Sequence, residues 1–144
     1  MHSFRFRATV LIVAVALLTG CQRSSLPGPT GTVSGTATYR DKPIPEGSAI
    51  VFVHKQSGII GTGVTDSNGD FQIKMREAND VLVGEYSVNI RPPGEPDDNI
   101  MELTMNNVPP AWKLVPQRYW MANTSTETFT VKEGENTYKL VLKD

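Results

Sequence analysis

The sequence predicts an all-β domain, a seven-stranded antiparallel β-sandwich standing behind an N-terminal signal helix. Three observations predict it. Short segments alternate apolar and polar residues with the period of two that half-buried strands require. Clusters of Gly, Pro, Asn and Asp separate those segments and supply turn chemistry. Beyond residue 20 no stretch sustains the 3.6-residue apolar period of an amphipathic helix, and only 107–119 has room for a single helical turn.

Taken in chain order, the first element is a leader. Arg5 and Arg7 are the only charges before "ATVLIVAVALL" at 8–18, where Thr9 is the only polar residue. A basic start, a short apolar run and small residues ahead of a cut point define a secretory signal peptide over 1–20. A membrane-crossing helix needs roughly 20 apolar residues, and this run is shorter. Cys21 follows directly and is the only cysteine of the 144 residues. Next comes "QRSSLPGPT", polar and rich in Pro and Gly, which reads as a flexible tether over 21–30.

The strands follow over 31–144. Segment 32–39 sets Val33, Ala37 and Tyr39 against threonines and a serine. Segment 49–55 is apolar on both faces, as a strand covered on both sides would be. Segment 61–65 is brief and glycine-rich. In 71–75, Phe71, Ile73 and Met75 alternate with Gln72 and Lys74; in 85–91, Tyr86, Val88 and Ile90 alternate with polar residues. Segments 126–132 and 138–143 complete the set, the last with Tyr138, Leu140 and Leu142 facing inward. Turns are expected at 40–47, at 133–136, and at "DSNGD", 66–70, whose Asn-Gly pair suits positive φ in a tight hairpin. One segment breaks the rhythm. Six of the ten prolines fall in 92–117, a loop long enough to expect function of it, with a short extra strand at 100–105.

Three resemblances add to this reading. Leu18-Thr19-Gly20-Cys21 resembles a bacterial lipobox, which implies cleavage between Gly20 and Cys21, diacylglyceryl transfer to the thiol, and fatty (palmitate-type) acylation of the new amino terminus. One acyl chain binds a bilayer marginally and two anchor it stably. Gln22 after the cysteine implies the outer membrane. The phrases "GTVSGTATYRDKPIPEGSAIVFV", "GTGVTDSNGDFQIK" and "VLVGEYSVNIRPP" look like a carboxypeptidase-regulatory-like, or transthyretin-like, β-sandwich of immunoglobulin-like architecture. "VPQRYWMANTSTETFTVKEGENTYKLVLKD" looks like the ending of small lipoproteins of planctomycete-type bacteria. In that ending, a Pro-x-x-Tyr phrase implies a structural role for Tyr119, its hydroxyl meeting a backbone partner.

Composition narrows the chemistry. Loss of the leader's two arginines takes the formal net charge from −1 to about −3, which is no footprint for nucleic acid. His54 is the single histidine after the leader, so a serine or threonine nucleophile has one histidine at most to activate it, and an ordinary exposed or half-buried position at a strand end is expected for it. The enzymatic branch of the transthyretin-like group needs several histidines and a terminal Tyr-Arg-Gly-Ser; this chain ends "YKLVLKD". Asp66, Asn68, Asp70 and, twelfth in the count, Glu77 match the spacing of a calcium loop, but a plain hairpin is the preferred reading. Glu95, Asp97 and Asp98 read as a solvated acidic tip. Trp112, Tyr119 and Trp120 either plug the open end of the core or, exposed, stack on sugars or anchor a partner.

The expectation is therefore a non-enzymatic lipoprotein of the bacterial envelope, facing periplasm or exterior and held to the bilayer through acylated Cys21. No cofactor is expected, and the partner would be an envelope protein or glycan. The alternative is a carbohydrate-binding module using Trp112, Tyr119 and Trp120; a hydrolase of the transthyretin-related type ranks below it.

Overall fold

Apolar residues at every second position bury one side of a strand and leave the other to water, so such segments must pack face to face. A computed structural model describes residues 26–93 and 108–144 and has this all-β, two-sheet arrangement. The strand segments are β1 (Thr30–Tyr39), β2 (Lys42–Pro43), β3 (Ala49–His54), β4 (Ile60–Val64), β5 (Asp70–Gln72), β6 (Val81–Leu82), β7 (Gly84–Arg91), β8 (Thr128–Val131) and β9 (Gly134–Leu142). One sheet is built on β1, which takes β9 along one edge and β6, β5 and β2 in turn along the other. The second sheet runs β4-β3-β7-β8.

Each of the seven expected segments contains a strand. The two short segments β2 and β6 are additions, because a two-residue pairing has no period to read. The antiparallel expectation needs a second correction: β1 and β9 pair in parallel over nine registered positions, Gly31 opposite Gly134 through Tyr39 opposite Leu142. The remaining pairings are antiparallel.

The core lies between the sheets. Val33 and Ala37 of β1, Leu140 and Leu142 of β9, Ile50 and Phe52 of β3, and Tyr86, Val88 and Ile90 of β7 are all buried. Phe52 meets Tyr138 edge-on across the gap at 6.0 Å between ring centroids, an arrangement that aromatic quadrupoles favour. Phe129 lies 4.5 Å from Tyr138 and closes the β8–β9 side.

The β4–β5 hairpin stitches the two sheets together. β4 pairs with β3 in one sheet, and β5 pairs with β1 in the other. This change of sheet explains why the alternation of Phe71, Ile73 and Met75 continues although the strand ends at Gln72: all three stay buried while their backbone partners change. Close approach is possible because β4 carries Gly63, where a Cβ would sit 2.6 Å from the Gln72 carbonyl oxygen.

Leu26 joins the core, and the Pro29 carbonyl accepts the Val83 N–H at 2.9 Å. The segment expected as tether over 21–30 is thus partly folded, because Leu26 has apolar surface to bury. Cys21, Gly20 and the leader lie outside the described residues, as do the expected strand at 100–105 and the acidic tip at 95–98.

Candidate functional site

The segment entering at Val108 folds as two 3-10 turns, Pro110–Leu114 and Gln117–Tyr119. Proline supplies both starts, Pro110 inside the first turn and Pro116 ahead of the second, where its fixed φ is preorganised. The turns direct Val108, Trp112, Val115, Tyr119 and Trp120 into the core, while Leu114 is 69% exposed.

Trp112, Tyr119 and Trp120 therefore come together, but as a cap and not as a display. Their exposures are 0%, 2% and 3%. Trp112 packs on Trp120 at 5.6 Å, and its Nε1–H donates to Ser48 Oγ at 2.9 Å. Ser48 in turn donates to the Pro45 carbonyl, which also accepts from Thr65 Oγ1 at 3.1 Å. Tyr119 Oη accepts the Lys143 N–H at 3.0 Å, and Arg118 donates both to that oxygen and to the Lys143 carbonyl, at 2.8 and 2.7 Å. The backbone partner expected of Tyr119 is there. The exposed aromatic faces required by the sugar-stacking alternative are not, because a core this small uses its largest side chains as filling.

Trp120 lies where β7 loses its neighbour. β8 pairs only with the first half of β7, and the chain at 120–127 replaces it beyond. Asn89 Nδ2 donates to the Trp120 carbonyl at 3.2 Å, Ser125 Oγ donates to the Val88 carbonyl at 2.5 Å, and the Val88 N–H donates to Glu127. Among the described residues, Trp120 Nε1 and Asn89 Oδ1 are buried with no hydrogen-bond partner. Leaving such a buried atom unpaired costs about 1–3 kcal/mol.

The remaining sequence candidates have structural roles. Asp66 Oδ1 accepts the N–H groups of Asn68 and Asp70, at 2.8 and 2.9 Å, and Gly69 takes φ of +79°. Gly69 N–H donates to the Asp66 carbonyl, so this is a type I turn closed by a left-handed glycine and not the tight turn with Asn68 at positive φ. Glu77 belongs to a different turn, at φ of +66° beside Arg76 at +48°. Asp66 Oδ1 thus serves the turn backbone, and among the described residues no group of three or more His, Cys, Asp or Glu is placed to hold a metal.

His54 is buried at 4% exposure, not at an ordinary surface position. Its Nδ1 accepts the Ser57 N–H at 3.1 Å, and Nε2 lies 3.3 Å from the Val83 carbonyl, which assigns the proton to Nε2. Tyr86 stands 5.0 Å away, edge to face, and burial pushes its phenol up to about 12. Burial, and then the nearby Glu127 charge, push the Tyr138 phenol upward as well.

Two groups escaped the sequence reading. Asn136 spans the β8–β9 turn: its Oδ1 accepts the Lys132 N–H at 2.9 Å, and Nδ2 reaches the Lys132, Gly134 and Thr32 carbonyls. Tyr39 and Arg40 both donate to Asp144, with Arg40 Nη2 at 2.7 Å. The Tyr39 hydrogen bond, followed by Arg40's, holds the Asp144 carboxyl below its usual range. The parallel pairing that sets Tyr39 opposite Leu142 brings together residues 104 positions apart, which no local pattern in the sequence reports.

Two shallow hollows open on the surface. One, of about 450 Å³, is lined by Ile60, Thr62, Val64, Gln72, Lys74 and Arg76. The other, of about 330 Å³, lies on the cap between Arg118, Trp120, Met121 and Thr124. Neither lining includes a histidine or cysteine. No helix among the described residues is long and apolar enough to cross a membrane. No family model matches the chain, and no curated protein and no solved structure matches it either.

Proposed function

We propose that the chain is a non-enzymatic lipoprotein of the bacterial envelope: a transthyretin-like β-sandwich, anchored by acylated Cys21, that serves as a binding or structural module. The observation that carries it is the run from Arg5 through the apolar 8–18 segment to Leu18-Thr19-Gly20-Cys21. An unpaired cysteine at the end of such a leader has a chemical use as an acylation site.

The fold supports the reading in two ways. Leu26, a few residues after the cysteine, already packs in the core. The five steps from Cys21 to Leu26 reach at most roughly 18 Å, which keeps the domain close to the lipid surface. The aromatic residues that a sugar site would use are committed to the cap, which favours a protein or structural role over glycan stacking.

Metabolic labelling with a palmitate analogue, followed by membrane fractionation, tests the anchor. Wild-type protein should carry the label and sediment with membranes, and Cys21→Ala should lose both properties. Equal labelling and equal fractionation of the two would refute the proposal.

A further inference from the structure

β9 is an edge strand among the described residues, where it pairs with β1 alone. The direction of its backbone groups follows from β1. The Val33 carbonyl accepts from Ile73, the Ala37 N–H donates to Gly69, and the Ala37 carbonyl accepts from Ile44. Odd-numbered residues of β1 thus turn away from β9, and its even-numbered residues turn toward it. The parallel register sets even β1 residues opposite odd β9 residues, and a parallel ladder bonds each residue to the flanks of its opposite number. Even residues of β9 therefore bond to β1, and Glu135, Thr137, Lys139 and Val141 point their N–H and C=O groups outward. The same parity holds at Lys143, whose N–H and C=O meet Tyr119 and Arg118. That contact caps one end of the free edge.

The side chains of this edge are self-complementary. Glu135, Thr137 and Lys139 are exposed on one face, and Val141 beside them is 52% exposed. When a second copy runs antiparallel with Thr137 opposite Thr137, Glu135 falls opposite Lys139 twice, once on each side of the two-fold axis. This register joins outward-pointing groups to outward-pointing groups. Centring on Lys139 instead sets two ammonium groups against each other and calls on the Lys143 groups that Tyr119 and Arg118 already hold. Opposite charges across a pair stabilise it, and like charges oppose it.

We propose that two copies of this chain associate through β9, antiparallel about Thr137, joining their β1–β9 sheets into one. The inference does not rest on the lipid anchor.

Sedimentation velocity on the full-length chain in detergent, from low to high micromolar concentration, tests it. Wild type should dimerise. Glu135→Lys and Lys139→Glu should each weaken the dimer by at least about tenfold, since each turns two attractive pairs into repulsive ones. The double variant should recover it, and an equimolar mixture of the two single variants should form heterodimers. Thr137→Pro should remain folded, because the lost N–H makes no bond to β1, and should be monomeric. Wild type that stays monomeric, single variants that dimerise like wild type, or a Thr137→Pro dimer would each overturn the proposal.

Discussion

Replacing Trp112 with alanine decides whether the aromatic cap is structure or display. The side chain is 0% exposed, packs on Trp120 and donates to Ser48. Truncating a buried tryptophan costs about 3–5 kcal/mol, cavity included. The hydrogen bond adds only about 1 kcal/mol, because the Ser48 hydroxyl keeps the Pro45 carbonyl as its own acceptor. The total approaches the whole stability of an ordinary domain, roughly 5–15 kcal/mol, so Trp112→Ala stands at the edge of folding. Trp112→Phe keeps most of the apolar volume and should cost about 1–2.5 kcal/mol, the lost bond plus a smaller void. Leu114→Ala, in the same 3-10 turn but 69% exposed, should stay within about 0.5 kcal/mol of wild type. Urea unfolding followed by circular dichroism measures all three. A Trp112→Ala protein within about 1 kcal/mol of wild type would refute the reasoning, since no residue that fills a core is so cheap to remove.

Three further outcomes follow from local geometry. Gly84 has φ of +145°, and a Cβ there would lie 2.2 Å from His54 Nε2; Gly84→Ala should cost about 2–4 kcal/mol in chemical denaturation. Glu77 holds a left-handed conformation without being glycine, so Glu77→Gly should raise stability by about 0.5–1 kcal/mol, and a loss instead would mean that its side chain has a use in the turn. The Tyr86 phenol, raised from 10.0 to about 12 by burial, binds its proton more tightly when folded. Its contribution is complete below the unfolded value and lost as pH rises toward the folded one, so denaturant midpoints should fall between about pH 10 and pH 12, and less steeply in Tyr86→Phe.

What the sequence discloses and what it withholds follow from what alternation measures. A period of two reports which side of a strand faces the core, and Val33, Phe71, Tyr86 and Leu140 were legible for that reason. It does not report which strand lies alongside. β1 and β9 alternate identically whether they pair parallel or antiparallel, and the residues that register them are about a hundred positions apart. Likewise the run from Phe71 to Met75 keeps one face inward while its backbone passes from one sheet to the other. Burial of His54 was hidden because its polar needs are met by Ser57 and Val83, and its space is provided by Gly84, three residues with no pattern in common. The three aromatics of the cap were legible as a group but not in orientation, since a tryptophan that fills a core and one that binds a ligand have the same composition.

The two proposals constrain each other through the direction of β1. It runs parallel to β9, so a dimer built antiparallel on β9 carries its two β1 starts, and with them its two tethers, at opposite ends. Residues 134 of the two copies are six positions apart along the ladder, roughly 20 Å at the usual rise per residue. Tethers that reach at most roughly 18 Å cannot both meet one bilayer if the strands stand upright, because one attachment point is then too high. They can if the two-fold axis points along the membrane normal and the strands lie flat. An upright single copy would be taller than β1 itself, whose ten residues span roughly 33 Å. A flat dimer is only two sheets and their side chains thick, roughly 25 Å, given sheets about 10 Å apart. Neutron reflectometry of the lipidated protein on a supported bilayer, at a surface density where cross-linking detects dimers, should therefore find the thinner layer. A layer clearly thicker than the length of β1 under those conditions would mean that anchor and edge pairing do not operate together in this geometry.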